Sequence, residues 1–393
     1  MVKLGAAFEQ WLDAHEEELI AFRRHLHAHP EPSGKEHGTT DFIMERLEVA
    51  GLEPRILASG TGLVCDIGDG PGPLVALRAD IDALEMVDEK EVHYRSQVPG
   101  VAHACGHDVH TAIVLGVGIY LSHLADLGGR VRLLFQPAEE RVPGGALDVL
   151  ADEGLAGVDA IFGVHCDPKL DRGRIGVRSG AITSAADMAE VLLTGPGGHT
   201  ARPELTVDML RLAARLIEQL PDEVEHELGG AGPIKLVFGS IHSGEAANVI
   251  PTHAVLRGSV RTPSTEAWGA LPAAFEQAVE NLVAGTGAEV EITYVHGVPP
   301  VINDEGITAL VREAAIEELS PEAVTEAEQS WGGDDFAWYL REVPGTFIRL
   351  GTHDAARGSE RLDLHVGHFD VDEQAIAVGI RVLIASIRAR FDA

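Results

Sequence analysis

The sequence predicts an α/β protein in two parts: a discontinuous α/β domain around a central mixed sheet, and an inserted α+β domain of ferredoxin-like order. Three observations carry this. Short apolar strands in the outer parts of the chain end in acidic or imidazole residues. Segments apolar at helical spacing separate them. Near Gly180 the pattern changes to a β-α-β-β-α-β run. The expected boundaries are 1–182 with 296–393 for the outer domain, and 183–295 for the insert.

Glu16 to His29 has a helical pattern that stops before Pro30, and Gly38 to Ala50 a second one closed by Gly51. His25, His27 and His29 read mainly as a polar helix end, where imidazoles suit the dipole. Gly62 to Ile67 and Leu74 to Leu77 read as strands. The second runs into Asp80-Ile81-Asp82, where open α/β sheets place their sites. Asp80 there either orients a ligand imidazole or caps the following turn.

His103-Ala104-Cys105-Gly106-His107-Asp108-Val109-His110 then packs three histidines, one cysteine and one aspartate into eight residues. Cys105 and His107 are two apart and share a face if the segment is extended. Thiolate with imidazole suits a transition metal such as zinc. Thr111 to Leu127 continues as a buried helix. Strand Arg130 to Phe135 ends in Gln136-Pro137-Ala138-Glu139-Glu140. Paired carboxylates can divide labour, one holding metal and its neighbour acting as a base. Ala146 to Gly154 is a helix, and strand Ala160 to Val164 presents His165 at its end.

In the insert, Asp187 to Leu193, Ile234 to His242, Ala254 to Arg261 and Glu289 to Tyr294 are strands. Leu205 to Leu220 and Glu266 to Val283 are its helices. Gly195-Pro196-Gly197-Gly198-His199-Thr200 matches no phosphate-loop pattern and displays His199, while Asn248 sits in a second polar loop. The outer style returns with helix Gly306 to Leu319, strand Thr346 to Leu350 and helix Asp372 to Phe391, with Asp372 expected at its cap. Between these last two lie His365 and His368; spacing does not choose between them as ligands.

Composition bounds the function. A net charge of −32 argues against nucleic-acid binding, which needs a basic footprint. Three cysteines make no disulfide framework. Met1 to Asp13 lacks a signal-peptide pattern, and no stretch approaches the ~20 apolar residues of a membrane span. A cytoplasmic protein is expected.

The stretches Arg78–Leu84, His103–Thr111, Gln136–Glu140, Phe162–His165, Gly197–Pro203, Asn248–Pro251, Gly332–Phe336 and Leu364-His365 with Phe369 together resemble the M20 metallopeptidase/amidohydrolase family, in its aminoacylase, hippurate-hydrolase and indole-acetyl-amino-acid-hydrolase branch. The resemblance implies a binuclear site of divalent ions, zinc or manganese, with cobalt or nickel as alternatives. Cys105 would bridge them; His107 and His165 would complete one, Glu140 and His365 the other. Glu139 would be the general base and acid, Asp80 would orient a ligand, and His199 would polarise the scissile carbonyl, with Asn248 near the substrate. It also implies an insert that serves as lid and dimerisation domain of a homodimer. The chain departs from the family at Glu85, at Arg141-Val142 and at Asp334.

Residues and resemblance agree on metal-assisted hydrolysis of linear amides, with N-acyl amino acids as substrates. A carboxypeptidase or dipeptidase of the same family is the first alternative. A metal-binding protein without catalysis is the second, and it has no need of Glu139.

Overall fold

A computed structural model describes residues 3–354 and 361–393. In chain order its elements are α1 (Ala6–Ala28), α2 (His37–Val49), β1 (Arg55–Ile56), β2 (Leu63–Ile67), β3 (Leu74–Asp80), α3 (His107–Ser122), β4 (Arg130–Gln136), α4 (Ala146–Ala151), β5 (Ala160–Asp171), β6 (Ile175–Val177) and β7 (Gly180–Ala181). There follow β8 (Ala186–Thr194), β9 (Gly198–His199), α5 (Met209–Glu227), β10 (Lys235–His242), β11 (Val249–Ile250), β12 (His253–Arg261), α6 (Thr265–Val283) and β13 (Glu289–Val298). The chain closes with β14 (Ile302–Asn303), α7 (Glu305–Glu318), β15 (Val324–Glu326), β16 (Gly345–His353) and α8 (Ala375–Asp392).

The chain folds into two compact units. One takes in the chain up to Ile182 together with Ile302–Glu328 and Asp335–Ala393; the other is Thr183–Val301 with Gln329–Asp334. The second unit therefore extends past the expected boundary at 295 and takes in a short segment from later in the chain. Trp331 explains that segment: its carbonyl accepts from Arg261 and its ring lies under the Lys235 ammonium, both in this unit.

The first unit is built on an eight-stranded mixed sheet in the order β1-β2-β4-β3-β5-β16-β6-β15. Its centre, β4-β3-β5-β16, is parallel. All seven residues of β3 are buried, as expected of a strand covered on both faces. α3 is apolar nearly all round because α1 and α8 pack on one side and the sheet lies on the other. Gly116 permits this: a Cβ there would stand 2.6 Å from Ile380 Cδ1.

Among the differences from the sequence reading, two have a local cause. β5 does not stop before His165 but runs on to Asp171, because β16 pairs with it in parallel through Asp167 and again at Asp171. Asp372 is not the cap residue of α8, which begins at Ala375; its carboxylate still accepts from the Gln374 N–H at 3.0 Å.

The second unit holds a four-stranded antiparallel sheet in the order β10-β12-β8-β13, with α5 and α6 connecting its strands in the ferredoxin-like manner. Alternate residues of β8 and β12 are buried against these helices. A separate ribbon pairs β9 with β11.

Candidate metal centre

The site forms where the chain leaves the parallel strands. Gly106 has φ 88°, a left-handed conformation that glycine adopts without a Cβ penalty, and a Cβ there would meet Cys166 Sγ at 2.8 Å. The turn at Gly106 starts α3, so that Cys105 precedes the helix and His107 opens it. Glu139 and Glu140 follow β4, and His165 stands within β5. The His365 N–H donates to the Ala104 carbonyl at 2.8 Å, which brings the distant C-terminal segment to the loop.

Besides Asp80 with His107 and His110, and His107 with Glu139 and Glu140, two groups of potential donors bring the predicted ligands together, with the ligand atoms in each within 4.8 Å of one another: Cys105, His107 and His165, and Cys105, Glu140 and His365. Cys105 belongs to both. Its Sγ is 3.6 Å from His165 Nε2 and 3.4 Å from His365 Nε2. His365 Nε2 is also 3.2 Å from Glu140 Oε1. Glu139 Oε2 lies 3.9 Å from His107 Nε2. His368, the local rival of His365, instead meets Glu89 at 3.1 Å on the exposed surface.

Hydrogen bonds decide which imidazoles can act as ligands. His107 donates from Nδ1 to the Asp82 carbonyl at 2.9 Å, and His165 from Nδ1 to the Cys166 carbonyl at 2.8 Å. In its neutral form each therefore keeps a lone pair on Nε2. His107 Nε2 is buried without a hydrogen-bond partner. His110 differs: Nδ1 donates to Asp80 Oδ1 at 2.6 Å and Nε2 accepts from the Cys166 N–H at 2.8 Å, so both nitrogens are engaged. The imidazole hydrogen-bonded to Asp80 is thus His110, while Nδ1 of His107 meets Asp82 and its Nε2 lies 3.5 Å from Asp80 Oδ2. Asp82 also accepts from Ser33 Oγ at 2.6 Å and from the Glu140 N–H at 3.0 Å, joining two donor-bearing segments. The D-I-D spacing carried this signal, since residues two apart in an extended segment share a face.

The charge balance suits cations. Burial pushes the Cys105 thiol well above its usual range, and Glu140, Glu139 and Asp80 add to the effect. Burial disfavours a charged His107, yet Asp80 and Asp82 overcome it and raise that imidazole to about 10. Burial also opposes ionisation of Asp80, but Arg78, His107 and His110 hold it well below the usual carboxylate range. A group that retains a proton so strongly marks a place where a metal ion would be welcome. Thiolate, imidazole and carboxylate donors around a partnerless Nε2 fit divalent transition ions.

His199 and Asn248 lie in the second unit. The β9–β11 ribbon sets His199 opposite Val249, and the Asn248 carbonyl accepts from the Thr200 N–H at 3.2 Å. Both side chains are exposed there. Sequence reasoning assigned no separate role to Asp82, to His110 or to the buried Arg78, which meets Asp80, Gln136 and Asp335.

Known proteins can be compared with this geometry. The family described as Peptidase family M20/M25/M40 matches residues 76–389. A Bacillus subtilis protein named N-acetyl-L-cysteine deacetylase is 38% identical over 379 residues, covering 96% of this chain and 89% of that protein. A Rhodococcus jostii protein carrying a glutamate–cysteine ligase name is 43% identical over 373 residues; the match covers 95% of this chain but only 47% of that protein's length. Among solved structures, the Bacillus subtilis YXEP protein, described as a dinuclear metal binding peptidase from the M20 family, superposes with a TM-score of 0.83 at 34% identity, covering 97% of this chain and 99% of that one.

Proposed function

The chain belongs to peptidase family M20/M25/M40, and from that premise we propose that it is a metal-dependent amidohydrolase cleaving the amide bond of N-acyl amino acids to a free amino acid and a carboxylic acid. The observation that carries the proposal is the pair of donor groups sharing Cys105, with a further carboxylate, Glu139, beside them. The near-full-length likeness to the Bacillus deacetylase supports the substrate class.

In this reading Cys105, His107 and His165 would hold one divalent ion, and Cys105, Glu140 and His365 a second. Bound divalent ions supply Lewis acidity and an acidified water. Glu139 takes the proton of the attacking water and returns it to the leaving nitrogen. Asp82 keeps His107 in the tautomer that presents Nε2. Asp80, fixed between Arg78 and His110, supports the floor of the site. His199 donates to the carbonyl oxygen as negative charge develops there, and Asn248 contacts the substrate. Thiolate and imidazole donors favour zinc, and manganese, cobalt or nickel could fill the same donors.

The second unit acts as a lid and as the dimer contact of a homodimer. Met188, Val237 and Val295, exposed on its sheet, support an interface there. Three free, buried cysteines support a cytoplasmic location; among the described residues no helix is long and apolar enough to cross a membrane.

The test is hydrolysis of a panel of N-acetyl, N-benzoyl, indole-acetyl and long-chain acyl amino acids by protein stripped of metal and reloaded with zinc or manganese. Metal-dependent release of amino acid is expected. Cleavage of dipeptides alone would move the protein to the peptidase reading, and silence on both would remove the hydrolase reading.

A further inference from the structure

We propose that Arg23, His27 and Asp108 form a buried positioning device that keeps the loop bearing Cys105 and His107 in register with the segment bearing His365. The proposal rests on the ligand assignment above and goes beyond it to residues that touch neither metal nor substrate.

Asp108 directly follows His107 in the first turn of α3. Its Oδ2 lies 2.6 Å from Arg23 Nε and 2.7 Å from His27 Nδ1. An ionised carboxylate only accepts, so His27 carries its proton on Nδ1. Arg23 and His27 are four apart on α1 and so share one helix face. The rest of the guanidinium reaches the other ligand-bearing segment: Nη1 is 3.2 Å from Glu373 Oε1 and Nη2 is 3.4 Å from Asp370 Oδ1. Tyr94 completes the seat, with its ring 5.0 Å from the Arg23 guanidinium carbon and its hydroxyl donating to Asp370 at 2.8 Å. On the far side of the imidazole, His27 Nε2 faces Asp88 at 3.4 Å.

One guanidinium therefore holds carboxylates on both ligand-bearing segments. Arg23 is 1% exposed, and His27 and Asp108 are 0% exposed. Stability alone does not explain such a cluster, because a buried ion pair often contributes no more than well-packed apolar side chains. An apolar filling cannot fix direction; the planar fork of an arginine can. Direction matters at this place. Gly106, at the N-terminal cap position of α3, has no side chain to cap the helix, and Asp108 in the first turn supplies an anchor to α1.

The experiment measures zinc affinity by competition with a chromogenic chelator, alongside thermal unfolding of the metal-free protein. The variants are Asp108→Asn, His27→Phe, His27→Gln and the control Arg381→Lys, which perturbs the ion pairs of Arg381 with Glu9 and Glu318. D108N and H27F should lose ~10–100-fold in zinc affinity, the usual effect of removing a residue that orients ligands. H27Q, which keeps a donor, should recover part of the loss. R381K should lose thermal stability without losing affinity. Wild-type affinity in folded D108N and H27F, or equal affinity loss in R381K at equal loss of stability, overturns the proposal. Should D108N fail to fold, the H27F and H27Q pair decides. A wild-type protein that binds no zinc overturns the ligand assignment itself; one that binds zinc as tightly as every variant overturns only the positioning device.

Discussion

His107 turns its Nδ1 to the carbonyl oxygen of Asp82, 2.9 Å away, and so leaves Nε2 facing the carboxylates of Asp80, Glu139 and Glu140. The Asp82 carboxylate reinforces this, with Oδ1 3.3 Å from the same Nδ1. Asp82→Ala keeps that carbonyl but removes the carboxylate, which also accepts from Ser33 Oγ and from the Glu140 N–H, and should weaken metal binding by ~10–100-fold while leaving the protein folded. Equilibrium dialysis against zinc, read with far-UV circular dichroism, checks it.

Glu139 and Glu140 are adjacent, and the proposed function gives them different tasks. Glu139→Gln should retain the wild-type metal content and lower kcat by at least ~10²–10⁴-fold, the usual contribution of a general acid–base. Glu140→Gln should lose metal. Metal analysis and steady-state kinetics on the same preparations separate the two. Near-normal turnover in E139Q would remove Glu139 as the base.

Cys105 is common to both donor groups, so Cys105→Ala should deplete both ions, whereas His365→Ala should deplete chiefly one. Cys105→Asp restores an anionic bridge of harder character. It should recover binding and shift preference from zinc toward manganese. Metal stoichiometry and competition between the two ions report this.

Asp88 supplies a pH dependence away from the donor atoms. Burial raises its carboxyl, but the His27 imidazole 3.4 Å away, hydrogen bonds from the Ser96 and Lys90 N–H groups, and the Lys90 charge outweigh burial and leave it below its ordinary value. A folded-state value depressed in this way adds stability above the unfolded value of about 3.9, and that stability is lost as pH falls through the folded value. Asp88→Asn should be less stable than wild type at pH 7, and the two should converge below about pH 4. Urea unfolding between these limits tests the sign; a gap that widens in acid would refute it.

The sequence by itself determined the two-part α/β architecture, because hydrophobic periodicity and strand–helix order are local properties. It also brought the candidate donors into view, since Cys105 and His107, or Glu139 and Glu140, are near neighbours in the chain. Only the tertiary structure decided which of these groups come together and which partners each one meets. His107 and His110 read alike in sequence, yet Cys166, 56 residues away, occupies the second nitrogen of His110. His365 and His368 are equivalent by spacing, yet His365 reaches Cys105, 260 residues away, while His368 pairs with Glu89. The same holds for Asp80 and Asp82, and for His27, which lies beneath the metal loop rather than at a surface helix end. The physical reason is common to all of them. A side chain's capacity to bind a metal depends on where its proton and lone pair point, and distant hydrogen-bond partners fix that direction.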